Sequence, residues 1–153
     1  MHIVFKHITK FIKIILFSVL SVLFVSSSNA QLTVEDIIKG RQALLSKNYS
    51  TAKRVQAFSS KGDFEKAKKL IIEMSENYKV LLDLFPENTQ EGFKTEALKI
   101  IWEEKDSYNA LMQKASDDMI KLTSLIENTD DIRGTLTQLM WSNCKACHSK
   151  YRM

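Results

Sequence analysis

The chain has 153 residues, 44% of them apolar, with one proline, four glycines and a formal charge of +4. So few chain breakers leave little room for the turns of a sandwich, barrel or βα repeat, which excludes most all-β and α/β designs. Much of the excess charge sits at the N-terminus, so a basic nucleic-acid surface is not indicated for the remainder.

Residues 1–30 carry Lys6, Lys10 and Lys13, no acid, an apolar stretch from Ile14 to Val25 and a small-residue exit at Ser28-Asn29-Ala30. This is the pattern of a cleaved secretory signal peptide. These twelve residues rise only about 18 Å as a helix, short of a hydrocarbon core of roughly 30 Å, so a permanent membrane span is the weaker reading. No cysteine lies near the cleavage point to accept a lipid. The expected mature chain, 31–153, is one domain with 19 basic and 18 acidic residues, and no membrane attachment is expected of it.

A first helix is expected over about 34–59. Thr33 stands as N-cap with Asp36 in the capping-box position, and Val34, Ile37, Ile38, Leu44, Leu45, Tyr49, Ala52 and Val55 form a stripe that Arg41 interrupts. Ser59 to Asp63 stops this helix and caps the next. A second helix carries Phe64, Ala67, Leu70, Ile71, Met74, Tyr78, Leu81, Leu82 and Phe85, and Pro86 ends it. Residues 86–95 form the one long connection. A third helix runs from Leu98 through Ile101, Trp102, Tyr108, Met112 and Met119 to Ile126, with Glu103 to Asp106 read as a solvated face. Asn128 to Asp130 breaks and recaps, and a fourth helix runs from Ile132 through Leu136, Leu139, Met140, Cys144, Cys147 and His148 to Tyr151. Long helices joined by short, long and short connectors make an all-α, antiparallel up-down four-helix bundle. Met74, Met112, Met119 and Met140 are read as core rather than as ligands.

The chemistry is concentrated at the C-terminus. Cys144-Lys145-Ala146-Cys147-His148 holds both cysteines and the one histidine outside the leader. C-x-x-C-H is the attachment motif of c-type haem. Positions i, i+3 and i+4 share one helix face, so two thiols can reach the vinyl groups along one porphyrin edge while the imidazole turns under the ring toward iron. A disulfide would account for the cysteines and leave the histidine a coincidence. A closed zinc site needs four ligands where this cluster has three. Chance would place the pattern in roughly one chain of this length per thousand. One covalent haem c accounts for all three residues, and an exported chain is where such attachment takes place.

With that motif closing the last helix, the chain resembles class II c-type cytochromes, the cytochrome c′ family. The resemblance also rests on Arg41-Gln42, Leu84-Phe85-Pro86, Lys94-Thr95-Glu96-Ala97, Ile101-Trp102 and Tyr151-Arg152. It implies that Arg41 meets a haem propionate with Gln42 beside it, that Glu96 lies near the haem edge, and that Phe85 and Trp102 line the pocket. It also implies that Leu45 faces iron on the side opposite His148. Arg152, four residues after His148, is expected to cover the imidazole from the same helix. Leucine cannot ligate, so the iron is expected to be five-coordinate and high-spin, with Lys47 and Asn48 making the lid wetter than is usual in the family. Two roles follow, one-electron transfer in the periplasm with an unspecified redox partner, or binding of nitric oxide or carbon monoxide. A non-haem helical adaptor with a disulfide is the remote third. No nucleophile–base pair suggests an enzyme, and a homodimer through the first two helices comes by analogy alone.

Overall fold

The computed structural model describes residues 32–153; the expected signal peptide lies outside them. Helix α1, Val34–Ser59, opens on the capping box expected of it. The Thr33 hydroxyl accepts from the Asp36 amide at 3.1 Å, and the Thr33 amide donates to the Asp36 carboxylate at 3.1 Å. That carboxylate, held chiefly by the Thr33 hydroxyl, titrates below its ordinary range. After a turn at Gly62, which has φ +74°, helix α2 runs over Phe64–Leu81 with the Asp63 side chain capping the Lys66 amide.

Helix α2 ends four residues before the position expected from the periodicity. Leu82, Asp83 and Leu84 each donate to the carbonyl three residues back, tightening the chain into turns before Pro86. The connection then forms a short 3₁₀ turn at Glu87–Thr89. Gly92, Phe93 and Lys94 follow with φ of 95°, 47° and 56°, three consecutive residues in the left-handed region. For Phe93 and Lys94 this conformation costs about 1 kcal/mol or more each. The third helix is also interrupted. Helix α3, Ile100–Glu103, stops at Glu104 (φ −117°, ψ 43°), and helix α4, Lys105–Leu125, begins beyond it.

The last helix consists of α5, Ile132–Leu136, a π turn at Thr137–Trp141, and α6, Ser142–Tyr151. Its inward positions Leu136, Met140, Asn143, Cys147 and Tyr151 step by four, three, four and four residues. That average is wider than the 3.6 of an α-helix, and the π turn absorbs the excess so that one stripe faces inward throughout.

Among the described residues the architecture is a four-helix bundle with no strand beyond one isolated bridge. Helix α2 packs against both α1 and α4, and α4 carries the last helix on its other side. The core between them includes Ile71, Met74, Leu81, Met112, Met119, Leu122, Ile126 and Met140, none more than 2% exposed. The methionines are thus the core side chains they were expected to be. Two polar contacts cross the core: the Asn77 amide donates to Asn48 at 2.8 Å, and the Ser75 and Ser116 hydroxyls meet at 2.8 Å. The seam between α1 and the last helix is different. These two helices touch through Trp141, which meets Tyr49 and Gln56 of α1, and beyond that contact they enclose a cavity.

Candidate haem site

That cavity has a volume of about 670 Å³, within the usual range for small-molecule and cofactor pockets. Helix α1 supplies one wall through Arg41, Gln42, Leu45, Ser46 and Tyr49. Steps of one, three, one and three residues keep these five on a single helical face. Cys147, His148 and Tyr151 of α6 form the facing wall, Phe85 and Tyr108 lie within, and Lys94 to Ala97 run along the rim. The cavity therefore brings together Arg41, Gln42, Leu45, Phe85, Glu96, Cys147, His148 and Arg152, which are eight of the ten residues expected there.

Trp102 is not on the wall. It is 8% exposed, lies behind Phe85 with ring centroids 5.8 Å apart, and donates its indole N–H to the Pro86 carbonyl at 3.0 Å. It packs the Phe85-Pro86 corner against α3, and it reaches the cavity lining through Phe85 and through Arg41, whose guanidinium lies 5.5 Å from its ring centre. Cys144 also lies off the cavity wall; its sulfur is 4.0 Å from the hydroxyl of the buried Tyr78. As free thiols both cysteines are pushed up by burial, Cys147 to about 11. The His148 imidazole is shifted down, first by burial and then by the Arg152 charge, with Glu96 opposing.

Arg152 reaches the site by a different route from the expected helical one. Helix α6 ends at Tyr151, and Arg152 is extended at φ −126°, ψ 141°. It pairs with Ala97 in an antiparallel bridge, flanked by Leu98 N–H to Tyr151 O at 3.0 Å and Met153 N–H to Glu96 O at 2.9 Å. From there its guanidinium meets the Glu96 carboxylate at 2.5 Å. The C-terminus thus fastens the 90–99 segment to the end of the helix that carries His148. The stretch 103–106 is also not simply a solvated face. Lys105 donates to the Phe85 carbonyl at 3.1 Å, and Glu104 accepts from Lys150 and from the Tyr151 hydroxyl.

Arg41 is the most constrained residue of the site. Only 1% exposed, it donates to Thr89 Oγ1 at 2.9 Å, Thr89 O at 2.7 Å, Thr95 Oγ1 at 2.9 Å and Leu84 O at 3.2 Å. Its guanidinium lies 4.6 Å from the Phe85 ring centre. Every one of these protein partners is neutral, so a buried positive charge faces the cavity with no protein carboxylate against it. Burial accordingly lowers its pKa from the ordinary value. Gln42 beside it donates to the carbonyls of Phe93 and Lys94 at 3.2 and 3.1 Å, which holds the left-handed pair in place.

These features fit a haem. Two cysteines and a histidine stand at the attachment spacing, the cavity is lined by aromatic and aliphatic side chains, and a buried guanidinium lacks an anion. The family description "Cytochrome C′" matches residues 36–152. The chain belongs to the cytochrome c′ family. Cytochrome c′ of Rhodopseudomonas palustris is 26% identical over 133 residues, which is 85% of this chain and 90% of that protein. The crystal structure of cytochrome c′ from Rubrivivax gelatinosus superposes with a TM-score of 0.66 at 25% identity, covering 78% of this chain and 97% of that one. The R. palustris cytochrome c′ structure gives 0.64 at 27% identity, over 77% and 96%. A cytochrome c′ binds haem c covalently, and Cys144 and Cys147 are the only thiols this chain has for it. When bound, haem c would supply an iron that changes oxidation state by one electron.

Several residues of the site were not foreseen from the sequence. Tyr49 was placed in the core stripe, yet it is 52% exposed and belongs to the cavity wall with Ser46. Its place four residues after Leu45 was the available signal. Thr89 and Thr95, the acceptors for Arg41, come from a connection with no periodicity to read. Asn48, flagged as making the lid wetter, instead turns toward α2 and pairs with Asn77, while Lys47 pairs with Glu73 at 2.6 Å.

Proposed function

We propose that this cytochrome c′ holds its haem iron in five-coordination through His148, and that the open position on the Leu45 side binds small diatomic ligands such as nitric oxide or carbon monoxide. One observation carries the reading: the α1 wall facing His148 contains neither histidine nor methionine, and Leu45 occupies its middle. An imidazole on one side and an aliphatic side chain on the other leave room for a small ligand at a steric cost, and distal access decides between ligand binding and electron transfer. Cys144 and Cys147 form the thioether links, Arg41 neutralises a propionate, and the Arg152–Glu96 pair shields the His148 side.

One-electron transfer to a redox partner is the second reading. It is favoured by the rim, where Lys94 and Arg152 border the opening beside the exposed Phe93. Such a rim would let a partner approach the haem edge. In either role the protein is a carrier or binder and not an enzyme. The N-terminal leader pattern and the chemistry of haem c attachment both support a periplasmic location, and no described helix is long and apolar enough to cross a membrane. A homodimer through α1 and α2 would cover Ile72 and Val80, which are 47% and 51% exposed on α2.

The test is an electron paramagnetic resonance and optical spectrum of the ferric and ferrous protein, with carbon monoxide titrated into the ferrous form. High-spin iron that takes up carbon monoxide is expected, with faster association in Leu45→Ala. Low-spin iron in both states would overturn the five-coordinate reading.

A further inference from the structure

The α1 wall carries more than an aliphatic lid. The terminal nitrogens of Arg41 and the Gln42 amide already donate to Thr89, Thr95 and the carbonyls of residues 93 and 94. Next comes Leu45, followed along the same face by two exposed hydroxyl-bearing residues, Ser46 one residue on and Tyr49 one turn on. Among the described residues neither side chain donates a hydrogen bond to a protein acceptor, whereas the donors of Arg41 and Gln42 are engaged.

Tyr49 is exposed but not loose. Its ring meets the Trp141 ring edge-on, with centroids 6.1 Å apart and planes at 73°. Trp141 is in turn anchored by its indole N–H to Gln56 Oε1 at 3.2 Å. The Lys53 ammonium lies 4.3 Å from the Tyr49 ring centre. The ring is therefore held between Trp141 and Lys53, and Tyr49 at the same time lines the cavity.

We infer that Ser46 and Tyr49 are specificity-determining residues, donating hydrogen bonds to a ligand on the Leu45 side of the iron. The site then favours small ligands that carry negative charge, with cyanide as the anionic probe, over carbon monoxide, which is neutral and a poor acceptor. Hydrogen-bond donors in a distal pocket select ligands in this way because a hydrogen bond to a charged acceptor is roughly twice as strong as one to a neutral acceptor. Nothing at Leu45 itself supplies this discrimination. The inference rests on the five-coordinate reading above.

The experiment uses the holoprotein with Tyr49→Phe, Ser46→Ala and the double variant. Two quantities are measured: the cyanide dissociation constant of the ferric form and the C–O stretching frequency of the ferrous carbon monoxide adduct. The stretching frequency reports the field at the ligand and not binding strength or turnover. Each substitution is expected to weaken cyanide about five- to tenfold, the effect of one lost hydrogen bond, with carbon monoxide affinity changing less than twofold. Removing a donor should raise the C–O frequency. Leu45→Ala is the control for steric change, speeding carbon monoxide entry without that rise. If the double variant leaves the cyanide constant and the C–O frequency unchanged, the inference is overturned while the five-coordinate reading stands. If the parent protein takes up neither ligand, both fall.

Discussion

Replacing Arg41 by methionine tests whether this residue pins the cavity rim to α1. The side chain is 1% exposed and bonds to four acceptors that lie 43 to 54 residues away in sequence. Two of those acceptors have other partners after the substitution. Thr89 Oγ1 still donates to the Pro86 carbonyl at 2.8 Å, and Thr95 Oγ1 still accepts from the Ala97 amide at 3.3 Å. The carbonyls of Thr89 and Leu84 lose the guanidinium. An orphaned buried acceptor costs about 1–3 kcal/mol, and methionine regains some of this by removing a buried charge. The expected net loss is about 3 kcal/mol, a large share of the roughly 5–15 kcal/mol of a single domain. For a chain of this size it corresponds to a fall in Tm of about 10–15 °C. Arg41→Lys should lie between the two, because one ammonium cannot span acceptors set for a planar fork. Urea unfolding of the ferric holoprotein, followed by circular dichroism, gives the free energy. Limited proteolysis between residues 86 and 97 gives the local effect, with cleavage expected before global unfolding. A loss below about 1 kcal/mol with unchanged protection of that segment would refute the reasoning, since the bonds would then be worth no more than surface contacts.

Asn77→Leu should cost about 2 kcal/mol, because it strands the Oδ1 of buried Asn48, whose Nδ2 has no partner to begin with; pairing it with Asn48→Leu should recover most of that loss, as a double-mutant cycle in urea would show. Leu45→Met places a thioether on the α1 wall, and the ferric optical spectrum should move from high-spin toward low-spin with slower carbon monoxide uptake; an unchanged spectrum would mean position 45 does not face the iron. The Asp36 carboxyl titrates lower in the folded chain than its ordinary 3.8, so its contribution is complete above that value and is lost as pH falls through the folded value. Stability of the parent relative to Asp36→Asn should therefore be constant from about pH 5 upward and shrink below pH 3.8; a difference that does not shrink as acid is added would show the capping box is not the cause.

The haem motif, the four amphipathic stripes and the capping residues were legible in the amino-acid sequence because each depends on neighbours within about one helical turn. Cys147 and His148 share a helix face by spacing alone, and Thr33 and Asp36 close their box within four residues. Of the ten expected site residues, Cys144, Cys147, His148 and Arg152 came from local spacing and the other six from the family resemblance; eight of the ten reach the cavity. What failed was whatever depends on contacts far along the chain. Arg152 looked like one more turn of helix, but the chain leaves the helix there because the strand-like pairing with Ala97 offers its backbone better partners. The family resemblance put Trp102 on the pocket wall, yet the Pro86 carbonyl holds its indole and the ring lies behind Phe85. Tyr49 scans as core, yet it stands where α1 meets Trp141 of the last helix, half-exposed at the end of the cavity wall. Helical phase is set by local hydrogen bonds, so a sequence determines which residues share a face. Which faces meet, and which are left apart to enclose a cofactor, is decided by the packing of all the helices at once.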